Sequence, residues 1–141
     1  MTPSIDRRKL LRRAERLLKI LELPDRELSI LLCGDEEIRE LNRVYRNKDR
    51  ATDVLSFAQQ EGPAGHLHPE ILGDVVISLP TALRQAERRG VALMEEVLFL
   101  LVHGVLHLLG HEHVGVSSSV GRAMRKEQDR LLTLLHASFR S

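Results

Sequence analysis

The sequence has little cysteine. Cys33 is the single one among 141 residues, so no internal disulfide framework can form. It closes the mainly apolar run Leu28–Cys33, where a buried thiol is the plain expectation. An excess of either charge sign is missing too: 21 Lys and Arg face 20 Asp and Glu, a formal net of +1. Bulk charge therefore announces no nucleic-acid binding, and an RNA site would have to be a local patch. Long apolar runs are absent. The longest uninterrupted one, Val97–Val102, is far too short to span a bilayer. No apolar signal segment follows the basic residues of Met1–Arg16. These absences point to the cytoplasm and to no membrane association. No repeat, long linker or low-complexity tract interrupts the chain. What remains, 43% apolar and 29% charged residues, is ordinary for a globular protein. The length suits one domain over residues 1–141.

Histidine is what the chain concentrates. Four of its seven histidines fall between His103 and His113, in the stretch His-Gly-Val-Leu-His-Leu-Leu-Gly-His-Glu-His. The apolar pattern before it predicts a helix from about Met94 through Leu109. His103 and His107 then share one helical face. Gly110 can take a left-handed conformation, end the helix and turn the chain back. His113 can then approach the other two. The rival third ligand is His111, on a helix that runs on. That stripe would span roughly 12 Å at about 1.5 Å per residue, too long for one ion with bonds of about 2 Å. The break at Gly110 favours His103, His107 and His113 as ligands of one Zn2+ per chain. Three imidazoles leave a fourth position open, as in catalytic zinc sites.

The spacing His-x3-His-x2-Gly-x2-His looks like the long zinc motif of metzincin peptidases, with one part missing. Those enzymes carry Glu directly after the first histidine as general base. Here that position is Gly104, which cannot take a proton. The segment instead resembles the signature of the YbeY family of bacterial endoribonucleases, through His103, Gly104, Leu106, His107, Leu108, Gly110 and His113. A second stretch fits as well: Leu41, Asn42, Tyr45 and Arg46, then Thr52 to Phe57. Leu72, Gly73, Asp74 and Met124 also match. The departures are His111 and Glu112, where the family usually has Tyr and Asp, and Ala51, where it often has Pro.

The remaining elements predict an α+β fold. A small sheet of at least three strands, packed with helices, is expected, and the family resemblance implies that it is mixed, with the metzincin-like zinc helix at its centre. Helices are expected over Ser4–Leu21, Glu36–Tyr45 with Asp35 as cap, Pro80–Arg89 and Ser119–Leu135. Strands are expected over Leu28–Cys33, Thr52–Ala58 and Leu72–Ile77, the last two antiparallel. Gln59–Pro69, with His66 and His68, reads as a loop. Arg8, Arg12, Arg16 and Lys19 line one face of the first helix, as a solvated stripe or a contact for phosphates. Family members usually begin with a further strand, which Met1–Pro3 leaves no room for.

The resemblance implies a single-strand-specific, zinc-dependent endoribonuclease. Such an enzyme acts in 16S rRNA 3′-end maturation and ribosome quality control, with RNA and the small ribosomal subunit as partners and DNA a poor substrate. It implies Arg46 as a cleft arginine, suited by its charged fork to a phosphate. Zinc in such a site lowers the pKa of water towards about 7, and Glu112 is the nearest carboxylate if a separate base is needed. Asn42 and Asp53 read as holders of local backbone. Asp74 is a candidate outer partner for a histidine or for backbone donors. Two other functions compete: a non-catalytic, zinc-binding ribosome-associated protein, and a metallopeptidase, which Gly104 opposes.

Overall fold

A computed structural model describes residues 3–58, 71–110 and 118–138. In chain order these form α1 (Arg7–Ile20), β1 (Glu27–Cys33), α2 (Asp35–Arg46), β2 (Val54–Ala58), β3 (Ile71–Ser78), α3 (Leu79–Arg89), α4 (Leu93–Leu108) and α5 (Ser118–Ser138). The fold is α+β, as expected. The sheet order is β1-β3-β2, with β1 parallel and β2 antiparallel to β3. No helix among the described residues is long and apolar enough to cross a membrane.

Strand β3 is the middle of the molecule, and alternation along it builds two cores. Val75 and Ile77 face a layer that holds α1, α4 and α5, with Leu17, Leu101, Val105 and Leu131 packed against them. Val76 faces the other way, into a smaller cluster with Cys33, Ile38 and Phe57 under α2. Burial pushes the Cys33 thiol up to about 11, which marks it as inert packing.

Helix starts differ from expectation where side chains find better partners. Helix α1 begins at Arg7 because the Asp6 carboxylate accepts the Lys9 N–H. Asp35 does not cap α2. It lies in the first turn, Gly34 is the cap, and the Asp35 carboxylate serves α3 instead. It accepts from Ser78 Oγ and Thr81 Oγ1, both at 2.6 Å, and from Arg84 Nη2 at 2.9 Å. These bonds, led by Ser78, hold its pKa down at about 2. Glu96 is buried at the start of α4, where Arg89 Nη1 donates to it at 2.7 Å. Burial raises its pKa and Arg89 opposes the shift. The Arg89 guanidinium also stacks over Phe99. The corner between α3 and α4 is thus tied, and α4 is set against the sheet.

Candidate metal centre

Helix α4 reaches its place because two glycines remove side chains where it meets the sheet. A Cβ at Gly104 would stand 2.8 Å from Val75 Cγ1 and 3.0 Å from Ser56 Oγ. A Cβ at Gly73, on β3, would stand 2.7 Å from Leu108 Cδ2. Ser56 Oγ donates to the Gly104 carbonyl at 2.9 Å, which fastens β2 to the same turn of helix. With Gly104 turned to the sheet, His103 and His107 emerge half-buried at the helix flank.

Their rings meet. His103 Nε2 and His107 Nε2 are 3.1 Å apart, with ring planes at 61°. Two nitrogens on one tetrahedral zinc, each at about 2.0–2.1 Å, stand roughly 3.3 Å apart. The pair could share an ion, while no group of three His, Cys, Asp or Glu side chains gathers among the described residues. Helix α4 stops at Leu108, and Gly110 has φ +91°. Its N–H donates to the His107 carbonyl at 3.0 Å. The helix stop predicted from Gly110 is present. His111, Glu112 and His113 lie outside the described residues, as do His66 and His68.

A partner of His103 was missed in the sequence. Gln128, from α5, presents Oε1 to His103 Nδ1 at 3.3 Å, and its Nε2 donates to the Phe99 carbonyl at 3.1 Å. Gln128 is only 5% exposed. Its signal in the sequence was a polar residue on the buried stripe between Met124 and Leu131. Gln128, not Asp74, is the residue that meets His103 Nδ1. Asp74 is buried in β3, paired with Phe57 and Ser29.

Arg46 ends α2, against β2. Its Nη2 donates to the Ser56 carbonyl at 2.7 Å, and its guanidinium lies 4.7 Å from the centre of the Phe57 ring. Ser56 is therefore the link between Arg46 and α4. Asn42 and Asp53 hold backbone, as expected. Asn42 Nδ2 donates to the Arg50 carbonyl, and the Val54 N–H donates to Asp53.

Comparison with known proteins gives one consistent family. The chain is 45% identical to the endoribonuclease YbeY of Geobacter metallireducens over 122 residues, which cover 86% of this chain and 81% of that protein. It is 44% identical to the Geobacter sulfurreducens protein of the same name over 131 residues, covering 93% and 87%. The solution structure of a Thermotoga maritima protein shares the fold, with a TM-score of 0.64 at 24% identity over 94% of this chain and 82% of that one. The family model described as endoribonuclease YbeY matches residues 2–136, nearly the whole sequence, and the chain belongs to that family.

Proposed function

We propose that this chain is a zinc-dependent endoribonuclease, one domain over its length, that hydrolyses phosphodiester bonds within single-stranded RNA. The reading extends to 16S rRNA 3′-end maturation and ribosome quality control, on the small ribosomal subunit in the cytoplasm. The relatives' names supply the substrate class. The observation that carries the chemistry is the convergence of His103 Nε2 and His107 Nε2 at 3.1 Å, just before the helix stop. His113 is the proposed third ligand. Bound there, zinc supplies Lewis acidity towards a phosphoryl oxygen and makes water easier to deprotonate.

The chain's own residues do the rest. Arg46 is held against β2 by the Ser56 carbonyl, and Ser56 Oγ in turn bonds Gly104 of the histidine helix. A fixed positive fork at that place holds a scissile phosphate and stabilises charge that grows on it. Glu112, next to the third histidine in sequence, is the proposed carrier of a proton. Gly104 supports the nuclease reading over the peptidase one. The position that would carry the peptidase base faces Val75 and Ser56 in the sheet.

The test is a product assay on purified, zinc-loaded protein. Internal cuts in a single-stranded rRNA-like strand are expected, with DNA a poor substrate. Cleavage of a matched peptide without cleavage of RNA would overturn the reading. Inactivity on naked RNA and on assembled small subunits alike would favour the non-catalytic alternative.

A further inference from the structure

We propose that Gln128 is the positioning residue for His103, holding its ring in the tautomer with the proton on Nδ1 and the lone pair on Nε2. The inference rests on the zinc reading for its purpose, but the tautomer itself is a property of the protein alone.

Glutamine is mostly an exposed residue, yet Gln128 is 5% exposed between Met124 at 2% and Leu131 at 0%. A buried amide costs stability unless its donors and acceptors are met. Packing alone would be served by Leu or Met on this stripe, so the polar group calls for a polar reason. Its two bonds supply one.

The amide's orientation follows from chemistry. A backbone carbonyl only accepts, so the group 3.1 Å from the Phe99 carbonyl must be the Gln128 NH2. That turns Oε1 towards His103 Nδ1, at 3.3 Å. An amide oxygen also only accepts, so Nδ1 must carry the proton. A neutral imidazole has one N–H, which leaves Nε2 as the bare nitrogen. Nε2 is the atom that meets His107 Nε2 at 3.1 Å. Phe99 lies one helical turn before His103, so Gln128 grips the same segment of α4 whose ring it orients. Outer partners of this kind typically change metal affinity by about 10–100-fold when removed.

A merely structural role is the competing account, with Gln128 docking α5 on α4 through Phe99. Two substitutions separate them. Gln128→Leu removes both bonds. Gln128→Glu keeps an acceptor for Nδ1–H and loses the donor to Phe99. The metal-free proteins are compared by long-range proton–nitrogen NMR at about pH 8.5, well above the ordinary imidazole pKa of about 6.5. Zinc affinity is measured in parallel by competition with a chromogenic chelator. In wild type and Gln128→Glu, His103 should carry its proton on Nδ1. In Gln128→Leu, that preference should be lost and zinc affinity should fall by about 10–100-fold. If Leu does not fold, Gln128→Met, flexible enough to fill the same space, takes its place with the same expectation. An unchanged tautomer in the apolar variant would overturn the proposal. Equal loss in the apolar and Glu variants would also overturn it, in favour of simple docking. If wild type binds no zinc but the tautomer follows this pattern, the positioning role stands and the zinc reading falls.

Discussion

A side chain at position 104 would have to occupy space held by Val75 and Ser56. Gly104→Ala should therefore destabilise the protein by about 1–3 kcal/mol through overpacking, although alanine is the better helix former by about 1 kcal/mol. A shift in the urea midpoint without a change in slope would report it, and a gain in stability would contradict the packing seen here. Gly104→Glu should not create a peptidase, because the carboxylate would point into the sheet. Arg46 gives a second prediction at this scale. Arg46→Glu should greatly reduce RNA cleavage while zinc stays bound, since its proposed partner is phosphate. Zinc content and cleavage measured on one preparation would separate the two effects, and loss of both would remove the argument. The third ligand is tested by single replacements. His113→Ala should lose zinc and His111→Ala should keep it, and the reverse result would exchange their roles.

Elements join where their ends meet, and those junctions were the least legible part of the sequence. The His103–His107 pair and the stop at Gly110 were readable because they depend on spacing within one helix. Gln128 was not, because its partner lies on another helix and only tertiary packing brings them together. Asp35 has the same lesson: a cap by local rules, it serves α3 through Ser78, Thr81 and Arg84. Strand content was legible from apolar, β-branched and aromatic residues and the antiparallel β2–β3 pair from the loop that joins them, but the central place of β3 was set by pairing with β1. The Asp35 junction makes a pH prediction. Its folded pKa, about 2 against an ordinary 3.8, is depressed, so its stabilisation is full above that ordinary value. It is lost as pH falls through about 2. Asp35→Ala should cost about 1–2 kcal/mol at neutral pH, allowing for solvent screening. The gap to wild type should narrow as pH falls below 4 towards 2. A gap that stays constant in urea titrations at pH 7 and pH 3 would contradict the assignment.

Across the whole molecule, charge is unevenly shared. Helix α1 carries seven basic residues and one acid, a net of +6, in a chain whose total is +1, so the rest sums to −5. Its apolar side, Leu10, Ala14, Leu17 and Leu18, is buried, which leaves Arg8, Arg12 and Lys19 exposed on the other. Replacing Arg8 and Arg12 by Ser should lower the salt dependence of RNA binding, with the log–log slope shallower by about 1–1.5. An unchanged slope would make the stripe a solvated face. The central claim, however, is that one site both holds zinc and cuts RNA. It is tested most directly by stripping metal from wild type and His107→Ala, adding back one equivalent of zinc, and measuring bound zinc and internal cleavage of single-stranded RNA together. Wild type should lose cleavage on stripping and recover it as zinc rebinds, while His107→Ala should regain neither. Cleavage by stripped wild type, or by a His107→Ala protein that binds no zinc, would contradict the account.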